Sequence, residues 1–329
     1  MKRVKAAMIW IAMCASILSN GCQAIRVDQD LKVATGLISH TLCSETFVSG
    51  LDPERVYAED IRPRPGIGLI NWAVTYTVDR DNRDVTATVA GGFESRAVFR
   101  EGLGCLLVHG GEAKGSATPP PERQYNPLLP EIAGPGVVDP QDEGLRVALD
   151  RAFAEPARPP YRWTKAIVVV RDGRVVAERY APGYGVYTPL LGYSVTKSAI
   201  NALLGILSRQ DRLSMGNPAT VARWQNPDDP RRVITFDELE RMISGLALDE
   251  TASPASPVAR MLYLETDMAG FAESAALEAA PGMTWNYSSG NTVILSRIIR
   301  DAVGGGQDEV IRFAQRELFG PLGMRDVTP

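Results

Sequence analysis

Residues 192–207 read GYSVTKSAINALLGIL, and the placement of their one lysine decides how the rest of the chain is read. No ionisable residue occurs from Ser198 to Ser208. Leu203, Leu204, Ile206 and Leu207 follow with small residues between them, which predicts a helix apolar nearly all round and therefore inside a domain. Lys197 then lies where an ammonium is costly to desolvate. Ser194 stands three residues earlier, a spacing that puts both side chains on one face at a helix start. A serine hydroxyl is a poor nucleophile until a neighbour takes its proton, and a desolvated lysine can do so. Free N–H groups and the positive dipole end of the helix suit a developing oxyanion beside it. S-x-x-K alone arises by chance in many chains; its plain alternative is a capping serine and a solvated lysine.

The composition supports taking Lys197 seriously. The chain has 329 residues, 45% hydrophobic and 22% charged, enough for one large domain or two smaller ones. Net charge is −4 with no long basic run, which gives no reason to expect a nucleic-acid partner. Beyond the N-terminal leader the only lysines are Lys32, Lys114, Lys165 and Lys197; arginine carries the remaining positive charge. In such a chain an isolated lysine in an apolar setting is poorly explained as surface filler.

The first residues, MKRVKAAMIWIAMCASILSNGCQA, have the parts of a secretory signal over residues 1–24: basic Lys2, Arg3 and Lys5, then apolar Ala6 to Leu18. That stretch is too short to span a bilayer comfortably. Two processing readings stay open. Cys22 after Ser19-Asn20-Gly21 resembles a lipoprotein cysteine, which would anchor the protein to a membrane; cleavage after Ala24 would release it. Both make the protein exported, periplasmic or membrane-anchored. Cys43 and Cys105 are the cysteines beyond this region, and in an exported protein they are expected to form a disulfide. Two buried thiols are the alternative.

Along the chain, Asp28 to Leu42 has helical spacing, and Leu69 to Val78 alternates as a strand with Trp72, Val74, Tyr76 and Val78 on one side. Val85 to Ala90, Ser95 to Arg100 and Leu103 to Val108 are further strands. Residues 25–110 thus read as a small α+β unit, its helix pinned to its last strand by the Cys43–Cys105 bridge. Residues 111–141, with Pro119-Pro120-Pro121 among them, read as a Pro/Gly-rich linker or wrapping segment. Ala166 to Val170 and Arg174 to Tyr180 flank Asp172-Gly173, a hairpin signal. Thr235-Phe236-Asp237-Glu238 is a capping box whose helix should stop at Gly245. Helices are expected over Thr292 to Val303 and Asp308 to Leu318.

His40 and His109 are the only histidines, both in the N-terminal unit and without metal-ligand spacing. No metal or cofactor is implied. A base for Ser194 is then a lysine or a tyrosine. Trp285-Asn286-Tyr287-Ser288-Ser289-Gly290-Asn291 offers a tyrosine among small polar residues, after Pro281-Gly282 and before a helix. A phenol beside an ammonium can shuttle a proton; a core tyrosine is the plain alternative.

Together these residues resemble the penicillin-recognising serine hydrolases: class C β-lactamases, D-alanyl-D-alanine carboxypeptidases and related esterases and amidases. The hairpin, Ser194-Val195-Thr196-Lys197, Ile234 to Leu246, Pro281 to Ser289 and Leu322-Gly323-Met324 fall in that family's order over residues 142–329. The tyrosine motif is most similar to that of the 6-aminohexanoate-dimer hydrolase branch. The resemblance implies an α+β, β-lactamase/transpeptidase-like fold with an antiparallel sheet and helices. It also implies a small-molecule amide or ester substrate, acylation of Ser194, and proton work shared by Lys197 and Tyr287. Ser289 stands where an asparagine is frequent, and Asn291 either compensates as a substrate-binding residue or caps the following helix. One departure stands out. The family carries a Lys- or His-led triplet ending in glycine on a later strand, and the forty residues after Ser289 contain none. The resemblance therefore implies a domain truncated at its C-terminus, with an exposed hairpin edge, weakened catalysis and a separately encoded C-terminal segment as an expected partner. The alternative is a binding module that keeps the cleft without turnover.

Overall fold

The computed structural model describes residues 26–110, 127–128, 130–251 and 253–328. The expected leader, with Cys14 and Cys22, and most of the Pro/Gly-rich segment lie outside the described residues.

Helix α1 (Val27–Phe47) opens the described chain, with Asp28 and Asp30 near its positive dipole end. It runs five residues further than its apolar spacing predicts. Val33, Ala34, Ile38 and Leu42 are buried, but so are Thr35, Ser39, Thr41, Ser44 and Thr46. α1 is enclosed on two sides, and its small hydroxyl side chains allow close approach there. On one side lies an antiparallel sheet in the order β1 (Val74–Asp79), β2 (Asp84–Val89), β3 (Gly92–Arg100), β4 (Gly104–Val108). Ile38, Leu42, Ile61, Val85, Ala87 and Ala97 form the centre of this core. Cys43 of α1 and Cys105 of β4 are joined in a disulfide across it, with Cα atoms 6.1 Å apart.

The strand expected from Leu69 begins only at Val74. Ile67–Ile70 is a helical turn and Asn71–Ala73 a 3-10 turn. Leu69 and Trp72 are 82% and 85% exposed, so the alternation that suggested a strand has no buried side there.

Segment 130–141 leads into α2 (Glu143–Phe153) and then the hairpin β5 (Ala166–Arg171) and β6 (Arg174–Tyr180). Asp172 and Gly173 have φ of 52° and 73°, the left-handed pair that a tight right-twisted hairpin requires. The expected open edge of this hairpin is partly covered on β6. Val175 N–H donates to the Ile132 carbonyl and Glu178 N–H to that of Val138, both at 2.9 Å.

The second core is helical. α3 (Thr196–Arg209) packs Leu203, Leu204 and Leu207 against Trp224, Ile234, Leu239, Met261, Ile294 and Leu295. The other α-helices of this core among the described residues are α4 (Phe236–Glu240), α5 (Pro257–Leu264), α6 (Met268–Glu273), α7 (Ser289–Val303) and α8 (Gln307–Ala314). The Thr235 capping box forms as read: Thr235 N–H donates to Glu238 Oε2 at 2.8 Å and Glu238 N–H to Thr235 Oγ1 at 3.1 Å. Its helix ends at Glu240, short of Gly245, because the chain turns at Met242 with φ of 60°.

α3 corrects a second expectation. It is not buried all round: Ser198, Asn201 and Gly205 face solvent. Small uncharged residues made the helix look apolar, yet one stripe alone reaches the core. α1 also lies against α5, where Gly36 is close to Tyr263.

Candidate active site

Ser194 sits on a 3-10 turn, Tyr193–Val195, that runs directly into α3. Tyr193 has φ of 41°, strained for a residue with a Cβ. Arg64, from the segment after α1, holds its ring: Nη2 donates to the Tyr193 hydroxyl at 2.6 Å and the guanidinium lies 5.6 Å from the ring centre. Ser194 is exposed and Lys197 half-buried. Among the described residues the Ser194 N–H has no hydrogen-bond partner, whereas that of Val195 donates to the Gly192 carbonyl at 2.9 Å.

Lys197 Nζ lies 3.1 Å from Ser194 Oγ and 3.0 Å from Ser289 Oγ. One contact is local, across a single helical turn. The other joins residues 92 apart in sequence. Ser289 is the first residue of α7, whose N-cap is Ser288, with Ser288 Oγ accepting from Gly290 N–H at 3.1 Å. The Tyr287 ring centre is 4.8 Å from Lys197 Nζ, and the Trp285 ring lies tilted beside it with ring centres 6.3 Å apart. Tyr287 therefore offers the ammonium its π face. Among the described residues its hydroxyl makes no hydrogen bond to Ser194 or Lys197.

Glu250 completes the cluster and was not legible in the sequence. It accepts from the Ser289 N–H and, at 2.7 Å on Oε1, from the Ser289 hydroxyl. Nothing in Leu248-Asp249-Glu250-Thr251 separates it from a solvated acid. Its position follows from packing. Leu248 is buried against Gly290, where an added Cβ would lie 2.6 Å from Leu248 Cδ1. Ala247 N–H donates to the Ala276 carbonyl at 2.8 Å. Those contacts lay residues 246–250 across the first turn of α7.

Asn291 is 2% exposed and accepts from Ser244 Oγ at 3.0 Å. It points into the packing beneath the cleft and is neither the helix cap nor a cleft residue, because Ser288 already caps α7 and residues 242–246 cover this side of the helix. His40 is half-buried on α1, with Nε2 3.2 Å from the Cys105 carbonyl oxygen. Burial lowers the pKa of both His40 and His109.

A family model described as Beta-lactamase matches residues 164–328, half of the chain, and takes in Ser194, Lys197, Glu250, Tyr287 and Ser289. Among solved structures the chain is similar to a putative 6-aminohexanoate-dimer hydrolase from Bacillus anthracis, at 22% identity and a TM-score of 0.41. That alignment covers 53% of this chain and 46% of the other, so the chain spans less than half of that protein's length. No curated protein matches. With a serine and a lysine in contact at the head of a core helix, and the family model spanning the whole cluster, the chain belongs to the beta-lactamase family.

Proposed function

We propose that this protein is an exported serine hydrolase that cleaves an amide or ester through an acyl-enzyme, with Ser194 as the nucleophile. The observation that carries the reading is the 3.1 Å contact between Lys197 Nζ and Ser194 Oγ. In the reading, the Ser194 Oγ electron pair attacks the substrate carbonyl carbon while its proton passes to Lys197. The N–H of Ser194 faces the developing oxyanion. The ammonium formed is stabilised by the Tyr287 ring and accepted by Ser289. Lys197 then returns the proton to the leaving amine or alcohol, and water cleaves the acyl-serine. Tyr287 contributes here through its ring, which narrows the proton role expected from the motif alone. Export rests on the leader sequence, and Cys22 is the proposed anchor if it is lipidated.

The alternative reading is a binding module that keeps the cleft without turnover. A fluorophosphonate probe followed by peptide mapping separates the two. The hydrolase reading expects label on Ser194, none in Ser194→Ala, and a loss of at least about 100-fold in Lys197→Arg, whose guanidinium stays protonated. Tyr287→Phe, which keeps the ring, should retain most of the labelling rate. An unlabelled wild-type Ser194 sinks the hydrolase reading and leaves the binding module.

A further inference from the structure

The proposed nucleophile and base leave Glu250 without a role, yet it ends an unbroken line of side-chain contacts: Ser194, Lys197, Ser289, Glu250. The line crosses three separate parts of the chain, the head of α3, the head of α7 and the loop at 246–250.

A serine hydroxyl has one proton to donate and two lone pairs to accept with. Ser289 commits its proton to Glu250 Oε1 at 2.7 Å. Towards Lys197, at 3.0 Å, its oxygen can then only accept. An N–H of Lys197 must point at Ser289. For a neutral amine this directs the nitrogen lone pair elsewhere, and Ser194 Oγ at 3.1 Å is the other polar group in contact with it. The Glu250 carboxylate also accepts from the Ser289 N–H, so both of its oxygens face donors and its own orientation is fixed.

We infer that Glu250 is a positioning residue: through the Ser289 hydroxyl it aims the lone pair of Lys197 at Ser194. This rests on the hydrolase reading above. In the step it supports, the O–H bond of Ser194 breaks, an N–H bond forms on Lys197, and the Ser194 oxygen bonds to the acyl carbon as the carbonyl π pair moves onto the carbonyl oxygen. Ser289 and Glu250 keep their protons and charges throughout. A plain helix-capping role for Glu250 uses the same Ser289 N–H contact, so the test must move something that capping does not.

Glu250→Gln is nearly isosteric but offers one carboxamide oxygen to two donors. Its NH₂ would turn the Ser289 hydroxyl round, making that hydroxyl donate to the Lys197 lone pair. The experiment measures fluorophosphonate labelling of the whole chain, separating the inactivation rate constant from the probe's apparent binding constant. Glu250→Gln and Ser289→Ala are each expected to lower the rate constant by about tenfold or more and to leave the binding constant unchanged. Ser289→Thr, which keeps a hydroxyl, should restore most of the rate. Glu250→Gln added to Ser289→Ala should cause no further loss, because the two act in series, even where melting falls through loss of the cap. Wild-type rates in Glu250→Gln overturn the inference while the Ser194 reading stands. A change confined to the binding constant overturns it too and makes Glu250 a substrate contact. If wild-type Ser194 does not label, both the reading and the inference fail.

Discussion

Glu45 on α1 gives the protein a stability that should fall as pH rises through neutrality. It is 8% exposed and lines a cavity of about 310 Å³ shared with Asp60, Lys165, Tyr184, Leu190 and Tyr193. Among the described residues its carboxylate has no hydrogen-bond partner. Burial pushes its pKa up from 4.5 to about 7, with repulsion from Asp60 adding to the effect and Lys165 and Arg64 opposing it. A carboxyl whose folded pKa lies above its unfolded one favours the folded state when protonated. That contribution is complete below about pH 4.5 and is lost as pH passes through about 7. At about 1.36 kcal/mol per pKa unit, the ionised group costs the fold up to roughly 3 kcal/mol at pH 8. Glu45→Gln keeps the shape and cannot ionise. Urea unfolding followed by circular dichroism should show its advantage over wild type growing by roughly 2–3 kcal/mol between pH 5 and pH 8. Parallel stability profiles across that range would falsify the assignment of Glu45 as a carboxyl held neutral by burial.

Two further perturbations test the frame around the site. The Cys43–Cys105 bridge spans 62 residues, a loop whose closure stabilises by roughly 4 kcal/mol; Cys43→Ser with Cys105→Ser should lose most of that in urea, and an unchanged midpoint would mean that the bridge adds nothing. Gly245 has φ of 74°, and a Cβ there would meet the Ala279 carbonyl oxygen at 2.2 Å. Gly245→Ala should lower the melting midpoint by about 5 °C or more. Gly205→Ala, in a helix with open space around it, should hold or raise the midpoint. Equal effects from the two glycine changes would refute the packing described at 245–279.

The parts of this protein that could be read from sequence are those set by forces acting within one turn of chain. Asp172-Gly173 dictates its hairpin because few residue pairs tolerate two consecutive left-handed conformations. Thr235 and Glu238 satisfy each other's backbone N–H groups whatever lies around them. Ser194 and Lys197 meet because three residues at a helix start make one face. The α3 pattern was less informative. Ser198, Asn201 and Gly205 carry no charge, and an uncharged small residue gives no sign of which side water occupies. Leu69 and Trp72 misled in the opposite way: apolar side chains that reach solvent imitate the alternation of a half-buried strand. Ser289 was singled out by its motif, but its bond to Lys197 needed α3 and α7 packed together through Leu203, Leu204, Ile294 and Leu295. Glu250 carried no local signal at all. Its place over the head of α7 comes from Leu248 seated on Gly290, a contact that exists only once distant parts of the chain have folded against each other.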